Sequence, residues 1–156
     1  MSITVSFPPI PQGYGYVVLS VIGSFWLVTF QSFKVGSARK AAKIQYPQMY
    51  AELAQVEKSK EANLFNCAQR AHQNTLENLP SFIVLTLLNG LFNPRITTVL
   101  SFGWVFSRIL YSSGYYSGEP KNRILGAAGG FLSLFGLLGL ATYSTFDVIR
   151  LGGFKI

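Results

Sequence analysis

Apolar and polar positions run along this chain in long blocks, and the apolar blocks have the size of membrane-crossing helices. Tyr14 to Phe33 carries no charge over twenty residues, enough to span a hydrocarbon core of ~30 Å at ~1.5 Å per residue. The helix it starts is expected over about 14–40. Lys34 to Leu64 reads as that helix continuing into polar surroundings, a break at Tyr46-Pro47, and a mixed-charge loop or short helix outside the bilayer. A second helix is expected over 70–92, apolar in its second half and bent at Pro80, which removes one backbone hydrogen bond. Asn93-Pro94 reads as a tight turn, a third helix follows over 96–115, and Gly118 and Pro120 separate it from a fourth over 123–147. The pattern predicts an all-α integral membrane four-helix bundle, a single domain over 1–156 without internal repeats.

Composition supports lipid as the surrounding solvent. The chain is 49% hydrophobic and only 12% charged, with a mean hydropathy of +0.33, too oily for an ordinary water-facing domain. Its formal charge of +7 is spread between apolar blocks, without the dense basic face of a nucleic-acid binder. Cys67 and His72 are each the only residue of their kind, so neither an intrachain disulfide nor a multi-cysteine metal site is available, and no metal is expected. Pro8, Pro9 and Pro11 precede the first helix with no Lys or Arg before Lys34, so the basic start of a cleavable leader is missing and the first helix is expected to stay. Lys34, Arg39, Lys40, Lys43, Lys58, Lys60, Arg70, Lys121 and Arg123 fall on one side against Arg95, Arg150 and Lys155 on the other, which makes both termini non-cytoplasmic. Small residues at Gly15, Gly23 and Ser24, and at Gly126, Gly129, Gly130, Gly136 and Gly139, are expected to let helices approach closely. Four short helices enclose little volume, so an active site is expected between subunits.

The first half of the second helix breaks this oily pattern. In FNCAQRAHQNTLENLP, Phe65 to Pro80, a period of about 3.6 residues puts Arg70, Asn74, Glu77 and Asn78 on one face with Gln73 beside them, and His72 on another. An ionised group at membrane depth costs about 2.5 to 3.5 kcal/mol on insertion scales, so Arg70 and Glu77 need compensation there. Either this half-helix projects beyond the bilayer, its charges solvated or paired with each other, or it lines a polar pocket at the cytoplasmic boundary for a zwitterionic or anionic ligand. Arg108, Tyr111 and Tyr115 form a second stripe at the same level on the third helix; taken alone they read equally well as interfacial anchors. Arg123 opens the fourth helix after an expected N-cap at Asn122, where free N–H groups and the helix dipole favour an anion, a ligand's or a lipid's. Arg39 and Lys40, in GSARKAAK, add cations that also serve as topology signals.

Through FNCAQRAHQNTLE, SRILYSSGYYSGEP and SARK, spread from about Ser37 to Ala127, the chain resembles the membrane-associated proteins in eicosanoid and glutathione metabolism, most closely their microsomal glutathione S-transferase 3 branch. The resemblance implies a homotrimer of four-helix subunits in the endoplasmic reticulum. It implies glutathione as co-substrate in a cytosol-facing cleft between neighbouring subunits, and an electrophilic or hydroperoxide lipid arriving from the bilayer. It further implies glutathione contacts at Arg39, Arg70, His72, Asn74, Glu77, Tyr111 and Tyr115, and a catalytic role for Arg123. Glutathione's chemistry fits these positions, because its two carboxylates and one ammonium call for arginines and one acid. Three positions depart from the leukotriene C synthase pattern: Asn78 replaces a tyrosine, His72 a glutamine, and Lys40 the second arginine of a pair.

The function expected is that of a membrane-bound glutathione transferase and peroxidase, with leukotriene C synthase-type activity within the same reading. Arg123 would stabilise the glutathione thiolate, the nucleophilic form, and Tyr111 and Tyr115 would position the ligand or donate to a developing oxyanion. The alternative is a non-catalytic glutathione-binding membrane scaffold of the same fold, which has no use for Arg123. A small transporter or channel is disfavoured, because the first and fourth helices present no polar stripe to line a path. Cys67 reads as a small packing residue, so the reacting thiol belongs to glutathione. The physiological lipid leaves no trace in apolar walls, and GGFKI at the C-terminus carries neither lipidation cysteines nor a retrieval signal.

Overall fold

The structure, a computed structural model, describes residues 10–152. Pro8, Pro9, Lys155 and the end of GGFKI lie outside these residues, so the leader and C-terminal expectations that rest on them do too. Among the described residues the order is α1 Tyr14–Ala41, α2 Leu53–Lys58, α3 Lys60–Phe92, α4 Pro94–Tyr116, a 3-10 turn Pro120–Arg123, and α5 Ile124–Arg150.

Two helix starts, those of α3 and α4, differ from those expected by more than one residue. The helix expected from residue 70 begins at Lys60, because Ser59 caps it: its Oγ accepts the Ala62 amide at 3.2 Å, and Glu61 stands in the first turn where a carboxylate suits the helix dipole. The polar face of α3 is therefore mounted in the middle of a long helix that continues through Pro80 to Phe92. Asn93 alone separates α3 from α4, and Pro94 takes the first position of α4, where its missing N–H has no intrahelical partner to lose.

Helices α1, α3 and α5 with its leading turn are long and apolar enough to cross a membrane. By the same measure α4 is not among them. Its 23 residues include Thr97, Ser101, Ser107, Arg108 and Ser112 on the buried side, and it packs against α1, α3 and α5. A helix sheltered by three others can carry polar groups that lipid would not tolerate. The outer surface is oily: Trp26 is 72% exposed, Phe33 76% and Leu132 76%, a coat suited to acyl chains or neighbouring subunits.

The interior is held at three levels. Phe82 of α3 stacks on Trp104 of α4 at 4.0 Å between ring centroids, with Leu137 of α5 buried in the same cluster. Asn89 donates its amide to the Leu137 carbonyl at 2.8 Å, tying α3 to α5. Closer to the polar face, the fully buried Gln31 of α1 donates to Thr75 Oγ1 at 3.0 Å and to Ser112 Oγ at 2.6 Å, so one amide joins α1, α3 and α4. Such intramembrane hydrogen bonds average about 0.6 kcal/mol each, enough to set register but little of the stability.

Small residues matter where α5 meets α4. A Cβ on Gly126 would overlap the Tyr111 amide nitrogen and come within 2.6 Å of its Cα. On Gly130 it would lie 2.9 Å from an Arg108 guanidinium nitrogen. By contrast, Gly15, Gly23 and Gly139 face open space, so the close-packing role expected of them is not seen within one chain. Because the obstacle at Gly126 is backbone, Gly126→Ala is expected to destabilise the bundle by about 1 to 3 kcal/mol, the usual cost of overpacking. Thermal unfolding of the detergent-purified protein measures this, and an unchanged midpoint would show that α5 does not approach α4 so closely.

Candidate functional site

The polar face of α3 forms a hydrogen-bonded ladder. Arg70 Nη1 pairs with Glu77 Oε1 at 3.0 Å, two turns further along. Asn74, between them, donates Nδ2 to the other carboxylate oxygen of Glu77 at 3.0 Å. Its amide oxygen in turn accepts from Arg108 Nη1 of α4 at 2.8 Å. Both oxygens of Glu77 are thus engaged, and both ends of the Asn74 amide are used in the orientation their partners require. The Arg70–Glu77 pair is about half exposed, with 44% of each side chain accessible. Ion pairs so solvated contribute about 0 to 1 kcal/mol, which leaves both partners available to a ligand.

Arg108 carries the ladder into α4. Only 3% exposed, its guanidinium lies 4.7 Å from the Tyr111 ring centroid and 5.4 Å from that of Trp104. Its Nε is buried without a hydrogen-bond partner. Tyr111 and Tyr115, both buried, meet edge to face with centroids 5.2 Å apart. The Arg123 guanidinium lies 5.3 Å from the Tyr115 centroid and donates to the Pro120 carbonyl at 2.8 Å. A continuous path therefore runs Arg70, Glu77, Asn74, Arg108, Tyr111, Tyr115, Arg123, drawn from α3, α4 and the start of α5. Six of the eight expected site residues stand on it.

The geometry at Arg123 depends on the turn that precedes it. Asn122 does not cap α5; its amide donates to Ser117 Oγ at 2.9 Å, and Arg123 itself occupies the capping position after the 3-10 turn. Glu119 caps that turn through the Lys121 amide at 3.5 Å. Gly114 makes room for it, since a Cβ there would overlap the Asn122 carbonyl oxygen and lie 2.7 Å from the Arg123 amide nitrogen. Arg123 is consequently carried against α4 with the free N–H groups of α5 behind it, a local field that suits an anion.

The other two expected contacts lie off the path. Arg39, 8% exposed, sits between the Tyr46 and Phe65 rings with centroid distances of 4.4 and 4.6 Å, and donates Nη1 to the Gln48 carbonyl at 2.6 Å. His72 lies on a different face of α3, half-buried, with Nδ1 shielded and lacking a hydrogen-bond partner. Residues not counted among the expected contacts join the site instead. Arg108 stands in a stripe legible at helical spacing. Tyr50, whose hydroxyl donates to Gln73 Oε1, comes from an irregular segment that offers no periodic signal. Burial raises the Tyr50 phenol above its ordinary range, partly offset by the adjacent Arg70, so it stays a neutral donor at physiological pH.

Oily helices around a ladder of guanidinium groups, tyrosines and one carboxylate define an integral membrane protein with a polar site at one end of its bundle. The MAPEG family matches residues 16–143, and the chain belongs to that family, whose members are membrane-associated proteins of eicosanoid and glutathione metabolism. An uncharacterized protein of Synechocystis sp. is 39% identical over 70 residues, which cover 44% of this chain and 50% of that relative. The match thus spans about half the length of that protein.

Proposed function

We propose that the protein is a membrane glutathione transferase and peroxidase which holds glutathione on this ladder and activates it as a thiolate beside Arg123. Charge carries the reading. The path contains three guanidinium groups, Arg70, Arg108 and Arg123, and one carboxylate, Glu77, an excess of two positive charges. Glutathione with its thiol ionised has two carboxylates, a thiolate and one ammonium, an excess of two negative charges. In this reading Arg70 would take a carboxylate by forked hydrogen bonds, and Glu77 would accept from the ammonium.

Conjugation follows from the thiolate attacking an electrophilic carbon of the lipid: the sulfur–carbon bond forms, the carbon–oxygen bond of an epoxide breaks, and the alkoxide takes a proton. With a hydroperoxide, the sulfur attacks the distal oxygen and the oxygen–oxygen bond breaks. The lipid leaves as an alcohol, and the sulfenic acid of glutathione condenses with a second glutathione to the disulfide and water. The phenols of Tyr111 and Tyr115 are the nearest donors along the path for the oxyanion in either case. The half-exposed Arg70–Glu77 face suits a site completed by a neighbouring subunit in a trimer, and the basic residues at this end suit a cytosolic orientation in the endoplasmic reticulum.

An assay of the purified protein in detergent, with glutathione and either a chlorodinitrobenzene electrophile or an organic hydroperoxide, tests the proposal. Turnover with at least one is expected. Glutathione uptake by calorimetry without turnover would instead identify a binding scaffold, and no uptake would end the glutathione reading.

A further inference from the structure

The segment between α1 and α3 is clamped at both sides of one tyrosine. On one side, Arg39 of α1 holds the Gln48 carbonyl at 2.6 Å, and Gln48 donates to Gln55 Oε1 at 2.6 Å. On the other, Asn66 of α3 makes two hydrogen bonds to Ala51, accepting its amide at 2.7 Å and donating to its carbonyl at 2.9 Å. Ile44 and Ala51 are each 6% exposed and pack with Ala62 and Phe65. A connection with buried apolar anchors and paired backbone groups is held in one place rather than free to swing. Tyr50 lies between the clamps, and they carry its hydroxyl onto Gln73 with the Arg70 guanidinium beside it.

We infer that Tyr50 is a positioning residue of the ligand site, fixing the Arg70 and Gln73 end of α3 against the ligand's carboxylate. The inference rests on the glutathione reading above and adds a fourth chain segment to it. Arg70 is half exposed and its ion pair is with Glu77. When the ammonium of an arriving ligand engages Glu77, that pair weakens and a long, solvated side chain would regain its rotamers. Tyr50, anchored from a separate clamped segment, stands beside that guanidinium and is held there independently of Glu77. Arg39 then contributes at one remove, through Gln48 and the strap, and Asn66 gains a reason to stand in the FNC motif.

Loss of one such neutral hydrogen bond corresponds to about a three- to tenfold weakening. In the full-length protein in detergent, Tyr50→Phe is therefore expected to raise KM for glutathione by that factor while kcat at saturating glutathione stays within about twofold. Asn66→Ala, which releases Ala51, should reproduce the split, and Met49→Ala, an exposed neighbour, should not. A structural defect alone would lower kcat and the thermal midpoint together, leaving KM in place. Wild-type KM in Tyr50→Phe, or a matching fall in kcat without a change in KM, would overturn the role of Tyr50. If the unmodified protein takes up no glutathione by calorimetry, the functional reading itself fails and this inference with it; uptake with identical affinity in Tyr50→Phe removes the inference alone.

Discussion

Arg123→Ala is expected to remove the thiolate absorbance of bound glutathione and to lower turnover about a hundredfold, with glutathione affinity changed far less. A thiol with a pKa of about 8.5 must fall by about two units to be mostly ionised at neutral pH, a difference of about 2.7 kcal/mol. A hydrogen bond to a charged partner supplies about 1.5 to 3 kcal/mol, so one arginine nearly suffices. The α5 N-terminus behind it adds about 0.3 to 1 kcal/mol at an exposed site. Arg123 has the right freedom for this: Nη1 is spent on the Pro120 carbonyl at 2.8 Å, which holds the guanidinium plane while its other N–H groups remain to be offered. Arg123→Lys keeps the charge without the fork and should recover part of the signal. An alanine variant with undiminished thiolate absorbance and turnover would take Arg123 out of the mechanism.

The second large effect is expected at Glu77. Glu77→Gln removes the only carboxylate on the ladder, to which Arg70 and Asn74 both donate at 3.0 Å. Two effects oppose each other. The added net positive charge attracts an anionic ligand more strongly, but at a half-solvated position this is worth about 1 kcal/mol or less. Losing the acceptor for the ligand's ammonium costs a charge-assisted hydrogen bond of about 1.5 to 3 kcal/mol, and more if the ammonium is left desolvated. The loss wins, so Kd for glutathione measured by calorimetry should rise about ten- to a hundredfold, while the thiolate fraction of whatever binds stays near normal. Unchanged affinity would mean that Glu77 serves the protein's own ladder and not a ligand.

On the proposed reading Arg123 and Glu77 would separate along the path, one acting on the sulfur and the other on the peptide's charged end. Arg108 joins them. It lies between Asn74 and Tyr111, so removing it would break the link between the polar faces of α3 and α4 and blur the two effects. With no carboxylate paired to it among the described residues and Nε left unpartnered, Arg108 adds one of the two excess positive charges on the path.

Helical periodicity made much of this legible beforehand. Arg70, Asn74 and Glu77 share a face because their spacing matches a helix turn, and Arg108, Tyr111 and Tyr115 do the same on α4, so both stripes follow from local order alone. That they meet is shown by the Arg108–Asn74 bond, which no spacing predicts. Arg39 illustrates the opposite case. Its place at the end of α1 is evident from the chain, yet whether it faces ligand, lipid or protein depends on the fold of the following segment, which wraps Tyr46 and Gln48 around it. The start of α3 at Lys60 was hidden because KSKEAN reads as polar loop unless Ser59 is recognised as a cap.

By itself, the amino-acid order determined an oily, helical, membrane-embedded chain with two polar stripes near one end, since hydropathy and a turn of about 3.6 residues are properties of neighbours along the backbone. Tertiary structure alone decided that α4 could be polar because three helices shelter it, that Gly126 and Gly114 let α5 and its leading turn bring Arg123 to Tyr115, and that Tyr50 reaches Gln73. Those outcomes depend on distances between residues far apart in the chain, where steric fit and the pairing of buried polar groups, rather than local preference, select the arrangement.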